Sequence, residues 1–313
     1  KNGQPRINSF FTSSERLAKL ASATSPVSNW VIGNGASRYL MEKTVGVDRR
    51  RTLPEFSRNR LRKRLEGSKQ GSGEKGKLVF FPDIYADYND PELGYRAVLL
   101  LRQIGYEVIV PELRWAGMPY VSYGEMDKAT DTAVHNLSVL EPLLSTGYGI
   151  VSTEPTAVYM LKEIYPKLSP GPVSAKAAAA SSGFFATIQR HLPGADLKPA
   201  FALEDNIGFH IPCHERALTV GVPAIAFLER AGYKVQTVET GTCCGMAGTF
   251  GMKHGALGYD LSMAVGERLF KLFDESKTKL VASESSVCAM QINDGTGLRV
   301  MHPLYFVEPA ARV

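Results

Sequence analysis

Apolar residues follow two rhythms along this chain. Short runs rich in β-branched and aromatic residues, Leu78 to Phe81, Glu107 to Val110 and Gly149 to Ser152, predict strands. Between them the helical spacing of Leu93 to Ile104, Lys128 to Leu144 and Ala157 to Tyr165 predicts helices. That order gives an α/β fold with a mainly parallel sheet. Upstream the pattern is helical only: Ser13 to Leu20 opens on a Ser-Ser-Glu cap signal, Ser37 to Thr44 is amphipathic, and Pro54 opens a further basic helix. The Gly- and Ser-rich stretch from Gly67 to Gly76 reads as a flexible linker.

The pattern then repeats. KLVFFPDIYADYNDPELGYRAVLLLRQIGYEVIVPE, from Lys77, aligns with IGFHIPCHERALTVGVPAIAFLERAGYKVQTVE, from Ile207. The register continues with Trp115-Ala116-Gly117-Met118 on Cys243-Cys244-Gly245-Met246, and Gly149 to Glu154 on Lys279 to Glu284. The expected organisation is a basic helical adaptor at 1–66, a linker at 67–77, a first unit at 78–170, a connection at 171–204 and a second unit at 205–313. The fold class is therefore two tandem α/β units behind a helical N-terminal segment.

Composition narrows the class without naming a chemistry. The 313 residues, 44% apolar and 21% charged, are enough for one large or two ordinary cores. No apolar run reaches the length of a membrane span and no signal peptide is visible, so a cytoplasmic protein is expected. A chain starting at Lys1 reads as a piece of a longer one. The net charge of +5 is uneven. Residues 1 to 75 carry a balance of +10, concentrated between Arg49 and Arg64, and the remainder is acidic. Nucleic acid is not expected as a partner, because recognition motifs and interleaved aromatics are missing from the basic run. Docking on an acidic protein face or anionic lipid, or a solvated helix face, suits it better.

Chemistry enters with four cysteines. Cys213 ends the first strand of the second unit, Cys243 and Cys244 follow its second strand, and Cys288 follows its third, so the repeat brings them to one edge of a sheet. Strand ends are where open α/β sheets bind ligands. The positions equivalent to these cysteines in the first unit are Asp83, Trp115, Ala116 and Val158, none a thiol. Four gathered cysteines in a reducing compartment point to metal rather than disulfides, and both an iron–sulfur cluster and zinc accept four thiolates. The glycine-rich run from Gly245 to Gly251 favours the cluster, since closely approaching N–H groups can hydrogen-bond sulfur.

Pro212-Cys213-His214, then Cys243-Cys244-Gly245 in CCGMAGTFG, then Ser285-Ser286-Val287-Cys288 resemble the CCG cysteine-rich domain family. Asp90 to Gly94 and Glu154 to Pro166 extend the resemblance over both units, and NWVIGNGASRYLMEKTVGVDRRRTLPEF resembles the segment that follows a ferredoxin-type module in such proteins. It implies an iron–sulfur electron-transfer part of a FAD-linked dehydrogenase acting on a 2-hydroxy acid, such as D-lactate or glycolate, or on glycerol-3-phosphate, or a relative of the cysteine-rich component of heterodisulfide reductase. Cys213, Cys243, Cys244 and Cys288 would be the ligands of a 4Fe–4S cluster or of zinc, with Gly245 shaping the cofactor loop. FAD would sit on an upstream domain or partner flavoprotein, alongside a ferredoxin-type iron–sulfur module, with electrons passing to a quinone-reducing or peripheral membrane partner. Ser285 departs from the family by replacing the first cysteine of its last pair.

Other polar residues have plainer expected roles. His210, in an apolar strand, reads as a core histidine, His302 as a packing residue, and His214 as a surface hydrogen-bonder or a tuner of the metal. Asp83, Asp87 and Asp90 read as turn residues. Two functions therefore remain open: an iron–sulfur electron carrier in a larger assembly, and a zinc-binding scaffold in a redox complex of the heterodisulfide-reductase kind.

Overall fold

The computed structural model describes residues 4–194, 197–203, 206–218 and 221–309. Two four-stranded sheets carry the chain, each wholly parallel. The first combines β1 (Lys77–Phe80), β2 (Glu107–Ile109), β3 (Tyr148–Ser152) and β4 (Ser181–Gly183) in the order β2-β1-β3-β4. The second combines β5 (Ile207–Phe209), β6 (Val235–Thr237), β7 (Leu280–Ala282) and β8 (Arg299–Met301) in the order β6-β5-β7-β8. Register repeats as well as order: Lys77 pairs with Glu107 and Tyr148, and Ile207 with Val235 and Leu280. The α/β fold with a helical N-terminal segment is as the pattern predicts.

The helices between strands also fall where the spacing puts them. Pro91–Ile104 begins with proline in its first turn, is capped by the Asp90 side chain on Leu93 N–H, and ends on Gly105 in the left-handed conformation. Met126–Ser145 spans the next connection. One core joins the halves: Phe80, Phe184 and Phe185 from the first unit pack with Phe209, Phe227 and Phe306 from the second. The strand ends of both sheets are thus fixed relative to each other.

Three expectations need correction. The first unit does not stop at residue 170, because its fourth strand, β4, lies inside the expected connection and pairs with β3 from Ile150 to Ser152. Pro54 opens no helix; the basic stretch holds one short helix, Leu61–Arg64, and is otherwise extended or turned so that its arginines reach partners on the α/β units. The Gly- and Ser-rich stretch is no free linker. Gln70 pairs through its side-chain amide with both N–H and C=O of Val108 at 2.9 Å, extending the edge of β2, and Arg102 grips Ser68 and Lys69. Glycine is required at 71, since a Cβ there would sit 1.9 Å from the Tyr106 carbonyl.

The basic N-terminal segment is likewise not a free arm. Arg60 pairs with Asp87, Arg64 with Glu92 at 2.7 Å, and Arg50 with Asp48 and Asp260, each at 2.7 Å. Arg51 is fully buried. It pairs with Asp294 at 2.9 Å and donates to the Gly251 carbonyl from Nε and Nη2 at 3.1 and 2.9 Å. Much of the excess positive charge is thereby neutralised within the molecule, and the segment closes over the loop that carries two of the cysteines.

Candidate metal centre

The cysteine site is built from the ends of β5, β6 and β7. Cys213 starts the helix Cys213–Leu218 after Pro212 and is exposed; Cys243 is half-buried, and Cys244 and Cys288 are buried. Cys288 lies in the first turn of the helix Ser286–Thr296. Glycine is needed between these elements, because Gly245 has φ 98° and a Cβ there would meet the Ser262 carbonyl at 2.2 Å. That close approach folds Cys243 and Cys244 back onto the strand ends. Phe11 and Val47, from the N-terminal segment, pack in the same cluster as Cys244, Met246 and Cys288.

Two of the four sulfurs touch: Cys244 Sγ lies 3.4 Å from Cys288 Sγ, with the His210 ring beside them. On the neighbouring strand-end loops, Cys213 interacts electrostatically with Cys243 and with Cys288, and Cys243 with Cys244. Cys243 and Cys288 are the two whose thiols are lowered. Hydrogen bonds from Cys213 and Cys244, joined by the N–H groups of Gly245 and Ala247, press the Cys243 thiol far below its ordinary value. Gly245 N–H approaches its sulfur at 3.4 Å. Hydrogen bonds from Cys244 and His210 outweigh burial at Cys288 and lower it to about 5. Cys213 and Cys244, as the donors, are pushed up. A thiophilic cation would release the remaining two protons on binding.

His210 belongs to this group, although its place in the sequence marks it only as a core residue. Its ring, Cys244 and Cys288 each offer a ligand atom within 4.8 Å of the others, and all three are buried. The Nδ1 atom lies 3.1 Å from Glu239 Oε1, off the line of a directed hydrogen bond. Burial opposes charge on the ring, but Cys288 and Glu239 together raise its pKa to about 9. Glu239 also accepts the Ile211 N–H at 2.6 Å and Arg216 at 2.8 Å, so it fixes both the histidine and the helix of Cys213. A carboxylate behind a ring nitrogen is the usual support of a metal-binding histidine. Alternation in FHIPC could have exposed His210, since it stands out of the apolar run three residues before Cys213.

Other singled-out residues lie elsewhere. His214 turns towards the first unit, with Nδ1 3.0 Å from Thr156 Oγ1 and its ring stacked on Tyr159 at 4.7 Å. Ser285 is buried as the residue preceding the Cys288 helix and helps to lower the Cys288 thiol rather than offering a sulfur. Asp83 accepts the Ala116 N–H at 3.1 Å. Asp90 caps its helix, and Asp87 pairs with Arg60. His302 is buried and accepts the Leu304 N–H at 3.2 Å.

The chemistry of the donor set fits a thiophilic metal or cluster: two buried sulfurs in contact, two more on the adjoining strand-end loops, a buried imidazole, and the Gly245 N–H aimed at Cys243. Comparison with known proteins points the same way. The chain is 27% identical to a component of the anaerobic glycerol-3-phosphate dehydrogenase of Escherichia coli strain K12, over 98% of this chain and 78% of that protein. It is 24% identical to a component of the fumarate reductase (CoM/CoB) of Methanothermobacter marburgensis, over 77% of this chain and 47% of that one. It is also 24% identical to D-2-hydroxyglutarate dehydrogenase of Escherichia coli, over 93% of this chain and 29% of the relative. The segment from 207 to 293, which holds all four cysteines and His210, matches the cysteine-rich domain family CCG and is a domain of that family.

Proposed function

We propose that the chain is the iron–sulfur electron-transfer component of a FAD-linked dehydrogenase acting on glycerol-3-phosphate or a 2-hydroxy acid. The observation that carries this reading is the 3.4 Å contact of the Cys244 and Cys288 sulfurs beside the buried His210 ring, with Cys213 and Cys243 on the adjoining strand-end loops. These four would hold a 4Fe–4S cluster, with His210 as a further donor at the buried side and Gly245 and Ala247 hydrogen-bonding sulfur. Such a cluster supplies one-electron exchange, which the protein's own side chains cannot perform. Cys213, exposed at the surface, brings the locus within reach of a docked redox partner.

The similarity to components of named dehydrogenase and reductase complexes supports a flavoprotein partner and a place in an assembly. FAD, a ferredoxin-type module and the respiratory acceptor belong to that assembly. No helix among the described residues is long and apolar enough to cross a membrane. A cytoplasmic position for the assembly, peripheral at the membrane face, is part of the same proposal. The test is anaerobic purification with iron, sulfide and zinc analysis. Stoichiometric iron and sulfide with broad absorbance near roughly 400 nm, lost in Cys288→Ala, is the expected result. A colourless protein holding one zinc would overturn the electron-transfer reading in favour of a zinc-bound scaffold.

A further inference from the structure

Between the two units, on the strand ends, lies a cavity of about 130 Å³. Its wall repeats the internal symmetry of the chain. Thr153 and Glu154 follow β3, and Ser283 and Glu284 follow β7 at the equivalent positions. His302, Tyr85 and Tyr305 complete it. Four side chains at this wall have a polar atom without a hydrogen-bond partner: Thr153 Oγ1, Ser283 Oγ, Glu284 Oε1 and His302 Nε2. All four residues are more than nine-tenths buried. A buried polar atom left unpaired costs on the order of 1–3 kcal/mol, so four around one space indicate something that pairs with them.

The polarity of these groups identifies what that is. His302 Nδ1 accepts the Leu304 N–H, which leaves the proton of the neutral ring on Nε2. The Thr153 carbonyl lies alongside that N–H without forming a directed bond. Burial, reinforced by Glu215 and Glu154, raises the Glu284 carboxyl well above the usual carboxylate range, towards its hydrogen-bond-donating form. Thr153 and Ser283 carry hydroxyls. The wall therefore offers donors. None of its described residues is lysine or arginine, and Asp90 also lines it, so a carboxylate or phosphate ligand would meet no counter-charge. Tyr85 and Tyr305 add ring surface.

We propose that this cavity is a binding site for a small uncharged ring compound whose carbonyl oxygens accept hydrogen bonds from His302, Ser283, Thr153 and Glu284. Its ligand is distinct in charge from a hydroxy acid or a phosphate ester. The inference rests on the proposed function only for the ligand's role as electron acceptor, which its position suits. Glu154 lines the cavity, and its Oε2 accepts both the N–H and the hydroxyl of Ser286, two residues before Cys288. A ligand here would sit beside the helix that carries the buried cysteine.

Duroquinone, a fully substituted dicarbonyl ring that thiols do not add to, is a suitable probe. Calorimetric titration of the full chain should show saturable binding, weakened at least tenfold by His302→Phe and by the near-isosteric Thr153→Val. Glycerol-3-phosphate and D-2-hydroxyglutarate should neither bind there nor displace it. Thermal melts establish that each variant is folded, and Thr153→Val carries the test if His302→Phe is not. Absence of binding, which would mean that water alone fills the space, overturns the proposal, as does binding indifferent to Thr153→Val or displaced by either anion. Metal analysis of the same samples separates the two readings: iron and sulfide without duroquinone binding sinks only the cavity, whereas duroquinone binding by a zinc protein sinks only the electron-transfer role.

Discussion

The two α/β units share strand order and register, yet they tie their strand-end loops together by different means. In the second unit the ends of β5, β6 and β7 converge on sulfur. In the first, Asp83 stands at the position of Cys213 and holds Ala116, the counterpart of Cys244, by its N–H. Asn136 then bonds the N–H and carbonyl of Arg114, the Trp115 carbonyl and the Tyr165 hydroxyl, and Tyr165 reaches the Ala116 carbonyl at 3.1 Å. Hydrogen bonds and a buried tryptophan do in one half what a metal would do in the other. The scaffold specifies where loops meet, and the residues at the meeting point decide whether the junction is polar and inert or able to bind metal.

The largest expected effect falls on the bracket that the second unit alone receives. Arg51→Ala leaves Asp294 buried without its cation and frees the Gly251 loop, so denaturant unfolding should show a loss of about 3–5 kcal/mol together with weakened metal retention. An Arg51→Ala protein with unchanged stability would show that the pair is dispensable. Next comes Trp115→Ala, expected to cost about 3 kcal/mol through an unfilled cavity while metal content stays constant; a fall in metal matching that of Cys243→Ala would contradict the independence of the halves.

A finer comparison uses the two equivalent glycines. Gly117 and Gly245 both have positive φ, 89° and 98°. A Cβ at 117 would meet Thr132 at an ordinary 3.4 Å, whereas at 245 it would strike the Ser262 carbonyl at 2.2 Å. Gly117→Ala should therefore cost only the left-handed penalty of roughly 1–2 kcal/mol, and Gly245→Ala about 2 kcal/mol more, the scale at which strain at such a site is felt. Equal losses on thermal unfolding would erase the distinction.

The smallest effect at any one step of a titration is a pH slope. His302 stands in the second unit where the paired registers place Phe184 in the first. Burial lowers its pKa to about 3, against about 6.5 in the unfolded chain. The unfolded state thus takes up the proton first as the medium is acidified. Stability from this residue is intact above pH 6.5 and declines between 6.5 and 3, by at most about 1.4 kcal/mol per pH unit. In His302→Phe that part of the slope should vanish; persistence of the full slope would assign it to other groups.

Sequence alone disclosed the duplicated scaffold and the placing of the cysteines after equivalent strands, because strand-end residues are read from local pattern and carried by the repeat. It did not disclose His210 as a member of the site. A histidine inside an apolar strand looks like filler until Cys288, seventy-eight positions later in the numbering, is brought beside it. Charge was misleading for a related reason. Arg49 to Arg64 look like a solvated or docking surface when read in order, but their partners Asp87, Glu92, Asp260 and Asp294 lie on other elements. Glycine and serine at 67–76 suggested slack chain, although Gly71 is there for close packing and Gln70 for pairing with Val108.

The Arg51 bracket also has a temporal side. Its carbonyl partner lies 200 positions downstream and its carboxylate partner 243, so on the ribosome the arginine must wait until both units have been made. The first unit can assemble during that interval from contacts nearer in sequence. The cysteine loop, by contrast, emerges before its clamp can close. Metal delivered during or just after synthesis would meet an open loop, and closure of Arg51 onto Gly251 and Asp294 would then act as a late assembly step, sealing in what has been loaded.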